Sequence, residues 1–315
     1  MKTSFFAVIT AIIISISSTA FSQNLVPPLK SNDFTLQISG YGQGLWGDRV
    51  LVGDEHNRTA AWQSLVTRFD LKTPTPAVRF YGEVEFWGID ESQANWLKQA
   101  FIEVKATDYL TLRLGRMLLS GGYNTPASDN LETVHYPRVP FPVYGNGLQA
   151  EVNLGKGWTF IADIEGQTSS HFDDLETYQK VEASARLTKS FDEIHLSLSG
   201  QVALAESFKL YGINADWKPV KELHLKSCVY TADDNVLGYS GGYIFAGYTL
   251  FNYVELHNQV DYRTDAHHAS STIWTKGVRV WCPRDQVELT LDHETVFSKE
   301  AKTDNRLFAR LQIRF

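Results

Sequence analysis

The chain has 315 residues, a formal net charge of −7, 43% hydrophobic and 13% aromatic residues. An acidic chain without a basic stripe does not suit a phosphate backbone, so nucleic acid is excluded as the expected partner. The length permits one large domain or two, and the apolar pattern along the chain decides between them.

Met1-Lys2 is followed by an apolar run over residues 5–16 and then by Ser17, Ser18, Thr19, Ala20, Phe21 and Ser22. A charged start, a short apolar core and a small-residue exit read as a secretory leader, with cleavage expected after Ser22. The apolar run is short for a bilayer, and no later stretch reaches the length of a spanning helix. Residues 1–22 are therefore read as a signal peptide, 23–32 as a short periplasmic lead, and 33–315 as one domain.

From Phe34 the chain divides into amphipathic segments of period two, which is the signature of strands with one apolar and one polar face. Phe34, Leu36 and Ile38 oppose Thr35, Gln37, Ser39 and Tyr41. Leu65, Thr67, Phe69 and Leu71 oppose Ser64, Arg68, Asp70 and Lys72. Val78, Phe80, Val84 and Phe86 oppose Arg79, Tyr81, Glu83 and Glu85. Ala100, Ile102 and Val104 oppose Gln99, Phe101, Glu103 and Lys105, and Leu110, Leu112 and Leu114 oppose Thr111 and Arg113. The pattern resumes at Gly147 and repeats to the end. Roughly sixteen segments result, with fourteen or eighteen as the neighbouring possibilities for an antiparallel closed sheet.

The connections sort by length. Residues 48–59, 118–145, 167–177, 231–236, 264–269 and 298–304 make long links, alternating with tight ones at 73–76, 155–157, 190–192, 218–221, 252 and 283–285. The links at 90–94 and 205–207 are short for their places. Alternation of this kind puts the long loops on one rim, as in an up-and-down barrel that crosses a membrane. Trp158, Trp217, Tyr248, Phe251, Tyr253 and Trp281 are expected at the other rim, in an interfacial girdle.

The last segment is the most regular. Leu307, Ala309, Leu311, Ile313 and Phe315 alternate with Arg306, Arg310, Gln312 and Arg314, and the sequence stops on the aromatic residue. A barrel needs its last strand to pair with its first, so that no edge remains. Cys228 and Cys282 fall on strands three apart. At about 5 Å per strand this is too far for a disulfide, and both are expected to be unpaired.

The inward face is expected to carry Arg68, Arg79, Glu83, Glu85, Glu103, Lys105, Arg113, Glu151, Asp163, Arg186, Arg279 and Arg310. Unpaired buried charge is very costly. So many ionisable groups of both signs need water or one another, and about sixteen strands leave room for a water-filled channel. No metal-ligand spacing or activated nucleophile stands out. The His267-His268 pair reads as a polar loop, and the paired carboxylates read as charged wall. No cofactor is expected, no catalytic residue is assigned, and an enzyme is not the expected class.

A terminal Phe preceded by alternating apolar residues resembles the carboxy-terminal signal of Gram-negative outer-membrane barrels. The resemblance implies that the barrel assembly machinery reads Leu311, Ile313 and Phe315. Over its mature length the chain looks like the sixteen-stranded general-diffusion porins. The stretch Leu112-Arg113-Leu114-Gly115-Arg116 resembles the porin strand that leads into the constriction loop. The resemblance implies an outer-membrane location, contact with outer-membrane lipid, a homotrimer, and passive diffusion of small hydrophilic solutes and ions. It also implies that residues 118–145 fold into the lumen and bring Asp129, Glu132 and Arg138 opposite Arg116 at the constriction. Strict alternation would turn Arg116 outward, so this role requires a bulge at Gly115.

Two other classes stay open. One is a substrate-specific channel for sugars, phosphate or dicarboxylates. The other is a barrel enzyme. The stretch His195-Leu196-Ser197-Leu198-Ser199-Gly200 invites comparison with outer-membrane phospholipases, although their Ser-Asn-Gly element is missing.

Overall fold

The computed structural model describes residues 29–30, 34–51, 57–73, 77–88, 97–120, 144–169, 181–205, 208–234, 240–264, 270–282, 287–298 and 303–315. The expected leader lies outside these residues.

Sixteen antiparallel strands form one closed wall. They are β1 (Thr35–Leu51), β2 (Asn57–Lys72), β3 (Val78–Gly88), β4 (Leu97–Lys105), β5 (Leu110–Leu118), β6 (Tyr144–Gly155), β7 (Trp158–Ser169) and β8 (Val181–Phe191), followed by β9 (Leu196–Ala205), β10 (Phe208–Val220), β11 (Leu223–Asp234), β12 (Ser240–Leu250), β13 (Val254–Thr264), β14 (Ser270–Trp281), β15 (Val287–Ser298) and β16 (Asp304–Arg314). Each strand pairs with its sequence neighbours, and β16 pairs with β1 from Asp304↔Leu51 to Arg314↔Tyr41. The ring therefore has no free edge, and every strand finds its backbone partners within the wall, as a bilayer requires. Within the expected polar lead, Leu29 and Lys30 pair with Leu36 and Thr35 of β1.

The polarity of the wall is the reverse of a soluble sandwich. Leu114, Ile164, Ile213, Val229 and Ile244 are each more than 60% exposed on the outer face. Gln43, Glu83, Asp163, His257, Thr290 and Arg310 are buried on the inner one. Alternation is kept almost everywhere, because a slip of one residue would move a whole strand's apolar set inward.

The connections alternate between two rims: the links before β2, β4, β6, β8, β10, β12, β14 and β16 share one, and the others share the opposite one, although 52–56 and 206–207 are no longer than links on the opposite rim. The tight turns have local causes. Lys156 and Gly157 carry φ of 51° and 76°, and Phe251 and Asn252 carry φ of 55° and 63°. Two successive left-handed residues make the turn whose twist matches a hairpin. The Thr107 hydroxyl accepts the Leu110 amide at 3.0 Å and so closes the β4–β5 turn. A short 3₁₀ turn (Asp192–Ile194) joins β8 to β9, and His195 ends it in the left-handed region.

Three expectations are corrected. The first strand runs on to Leu51 and the second begins at Asn57, so the expected loop at 48–59 is mostly strand and only 52–56 lie between β1 and β2. Gly40, Gly42, Gly44 and Gly47 interrupt the apolar alternation there and hide the strand from a pattern reading. Likewise the expected link at 231–236 begins later, because β11 continues to Asp234. Trp281 does not join the outer girdle. It pairs with inward-facing Glu288, and the Arg279 guanidinium lies 5.2 Å from its ring centre. The other five aromatics expected in the girdle are exposed at or beside the tight turns. Cys228 and Cys282 are both free thiols, the first buried on the inner face.

Candidate functional site

The inner wall is built by alternation. On each strand every second residue points inward, and register sets which of these meet across strands. The inward residues fall into three sectors.

The first sector runs over β2 to β8. Asp70 holds Arg79 with two bonds of 2.7 and 3.1 Å. Arg79 also lies 3.7 Å from Glu103, which accepts from Arg113 at 2.7 Å, and Arg113 reaches Glu151 at 2.9 Å. Cation and anion thus alternate around the wall across successive strands. Beside this chain, Arg68 contacts Glu83 at 3.1 Å, the Tyr81 hydroxyl donates to the same carboxylate at 3.0 Å, and Lys98 meets Glu85 at 3.0 Å. Deeper along β6 to β8, Asp163 accepts from Gln149 at 2.6 Å, from Ser184 at 2.7 Å and from the Ser120 amide at 2.7 Å. Arg186 faces Asp163 and Glu151 from β8. Lys105 sits at the tight-turn rim, 3.2 Å from Asp108.

The second sector, over β9 to β12, is mainly neutral. Asn214 donates to Gln201 at 2.8 Å. Cys228, Tyr230, Tyr243 and Phe245 supply buried inward surface. Its polar end lies near the tight turns, where His224 Nε2 is 2.9 Å from Asp216 and Lys226 is level with Asp216 in register. Gly241 and Gly247 leave space that the Tyr230 hydroxyl and the Glu255 carboxylate occupy.

The third sector covers β13 to β16. Arg279 contacts Glu255 at 3.1 Å. Arg310 and Arg314 share Glu288, at 3.0 and 3.2 Å. His257 Nε2 meets Asp292 at 2.8 Å, and both side chains are fully buried. They occupy the space over Gly277, which lies between them in register and has no side chain to keep them apart. Gln43 of β1 donates to Gln312 of β16, so the seam between first and last strand also carries an inward polar contact.

All twelve expected wall residues take inward positions. Sequence reasoning missed Gln149, Ser184, Glu288 and Asp292. The last two continue the alternation of Glu255 and Asp261 on the next wall strand but one, and were visible as Glu288-x-Thr290-x-Asp292-x-Glu294. The neutral ones carry no such flag.

The expected constriction set is not brought together among the described residues. Register runs unbroken through Gly115 and Arg116 on both sides, with Arg116 opposite Ala100 and Asn146. The expected bulge is therefore absent, and Arg116 keeps the outward parity of Leu112 and Leu114. Gly115 instead adopts φ of 130°, and a Cβ there would strike the Ala100 carbonyl. This combination favours glycine. Asp129, Glu132 and Arg138 lie outside the described residues, as does nearly all of the 118–145 loop. His195 ends the β8–β9 turn, and Ser199 is buried on the inner face, hydrogen-bonded to Asn214 at 3.4 Å.

No family model matches the sequence. A search of curated proteins likewise found no match. Solved structures do match in fold. The outer-membrane channel DcaP of Acinetobacter baumannii superimposes with a TM-score of 0.69 at 12% identity, covering 92% of this chain and 100% of that one. OmpF of Salmonella typhi gives 0.66 at 11% identity, over 92% and 100%. The anion-selective porin of Comamonas acidovorans gives 0.65 at 11% identity, over 90% and 100%. The chain has the fold of Gram-negative outer-membrane porins, and its oily exterior suits that membrane.

Proposed function

We propose that this protein is an outer-membrane channel for passive diffusion of small hydrophilic solutes and ions. The observation that carries the reading is the inner wall itself: a closed sixteen-strand ring lined by charges of both signs that pair with one another. Paired charges stay ionised at low cost and attract water without fixing one solute, which suits a passage better than a tight binding site. Tyr41, Gln43, Glu83, Arg310 and Gln312 are almost wholly buried in that lining, which favours a narrow passage. The reading needs no cofactor and no catalytic residue. It includes a homotrimer, reading of Leu311, Ile313 and Phe315 by the barrel assembly machinery, and a constriction formed by residues 118–145 with Asp129, Glu132 and Arg138.

A second reading is a substrate-specific channel. It is favoured by the mainly neutral stretch of wall over β9 to β12, where Gln201 and Asn214 in place of charge pairs would suit an uncharged solute. Conductance in planar bilayers, with and without candidate solutes, separates the two. A diffusion pore conducts salt in open steps that added sugar or dicarboxylate leaves unchanged, while a specific channel shows solute-dependent block.

A further inference from the structure

On the outer face one group of residues breaks the apolar pattern. Asn258 of β13, Lys276 of β14 and His293 of β15 lie in one register row, each opposite the next. All three have the outward parity, and Asn258 and Lys276 are exposed. Lys276 is near the middle of its twelve-residue strand. Its ammonium lies 3.5 Å from the ring centre of Trp274, two residues nearer the long-loop rim. The Trp274 indole N–H donates to the Asn258 carbonyl at 3.4 Å, which leaves the Asn258 amide donors facing out. Tyr262 and Phe297 flank this group on the same side, both exposed. A cation on a lipid-facing wall is costly and marks a functional contact by default. Lys276 reduces that cost by reaching along the wall toward the long-loop side, with its ammonium over the Trp274 ring.

We infer that this group binds the phosphate of an anionic lipid in the outer leaflet. The charge pattern selects this occupant. Lys276, Asn258 and His293 offer hydrogen-bond donors, and among the described residues the register gives no outward Asp or Glu on β3 through β7, β9, β10 or β12 through β16. A second copy of the chain packing these walls against Lys276 would bring no carboxylate to meet it. A lipid phosphate at the outer-leaflet interface supplies the missing anion, and aromatic rings at that depth frame its headgroup. The inference rests on the barrel sitting in a membrane. It does not depend on whether the lumen conducts.

The test is native mass spectrometry of the detergent-purified barrel titrated with bisphosphorylated lipid A, with dephosphorylated lipid A and inorganic phosphate as controls. The wild type should bind the bisphosphorylated lipid at least tenfold more tightly than the dephosphorylated one. Lys276→Ala should lose that preference and Lys276→Arg should keep it, each variant first shown to run as a heat-modifiable folded barrel. Equal binding of the two lipids by the wild type, or an unchanged preference in Lys276→Ala, overturns the inference. So does tight binding of inorganic phosphate alone. A Trp274→Cys variant that forms disulfide-linked dimers in outer-membrane vesicles would make this face a contact between copies and also overturn it. No dimer is expected.

Discussion

Phe315 and Gly40 exchange two backbone hydrogen bonds, of 2.8 and 2.9 Å. They lie one step beyond Arg314↔Tyr41, the last register pair of the seam. The Phe315 ring also fills the space beside Gly40, where an added Cβ would come within 2.7 Å of it. The final aromatic residue is thus a clasp on the ring, and it needs a glycine opposite.

Removing the clasp should prevent assembly. Deleting Phe315, or replacing Ile313 with Asp on the outward face, should leave unfolded protein in the periplasm. Charge on the lipid face costs about 2–4 kcal/mol for Lys or Arg at mid-membrane, and less for Asp. Heat-modifiable migration on gels reads the folded fraction. Normal barrel yield from both variants would sink the idea.

The shared carboxylate of Glu288 makes a second prediction. Arg310 is wholly buried and Glu288 nearly so. Glu288→Gln removes the anion that Arg310 and Arg314 share, and breaking a buried pair in this way costs about 3–5 kcal/mol. The temperature at which the barrel loses its folded migration should fall clearly. Adding Arg310→Met should restore most of it, because the stranded charge is then gone. A single variant as stable as the wild type would mean that solvent reaches the pair.

Much of this was legible in the sequence, and the reasons for the rest are specific. Leu307 to Phe315 alternate without a break, so the closing strand and its inward Arg310 could be read directly. The same alternation puts Arg68, Arg79, Glu83 and Arg113 on one face, where they make ion pairs. Gly42, Gly44 and Gly47 carry no side-chain signal, so the end of β1 at 48–51 looked like loop. Trp281 was misplaced because an aromatic residue beside a turn resembles a girdle residue whichever way it points, and only register settles the face. Pairing across strands, such as His257 with Asp292 over Gly277, depends on which residues lie level. Periodicity within one strand does not contain that information. The role carried over to Arg116 depended on a bulge that the register does not have.

Selectivity between ions should be weak. Both signs line the wall in contact pairs, and fields beyond the Debye length, about 8 Å at physiological salt, are screened. The acidic net charge of −7 favours a slight preference for cations. Reversal potentials under a salt gradient should lie close to zero on the cation side and shrink as salt rises. Strong anion selectivity would contradict this.

Residues 118–145 carry the proposed constriction, with Pro126, Pro137, Pro140 and Pro142 to stiffen it and Asp129, Glu132 and Arg138 to charge it. Deleting residues 129–138 should raise single-channel conductance and admit larger solutes in liposome swelling. Unchanged conductance and size cutoff would show that the loop does not line the passage.

The central claim is that the lumen conducts, and single-channel recording in planar bilayers tests it most directly. Protein first shown to be folded by heat modifiability should insert and give discrete, ohmic steps of reproducible size in potassium chloride, which added sugars leave unchanged. Folded, inserted protein that gives no steps across a range of voltages would contradict the account, and the lumen would then be a sealed, structural core.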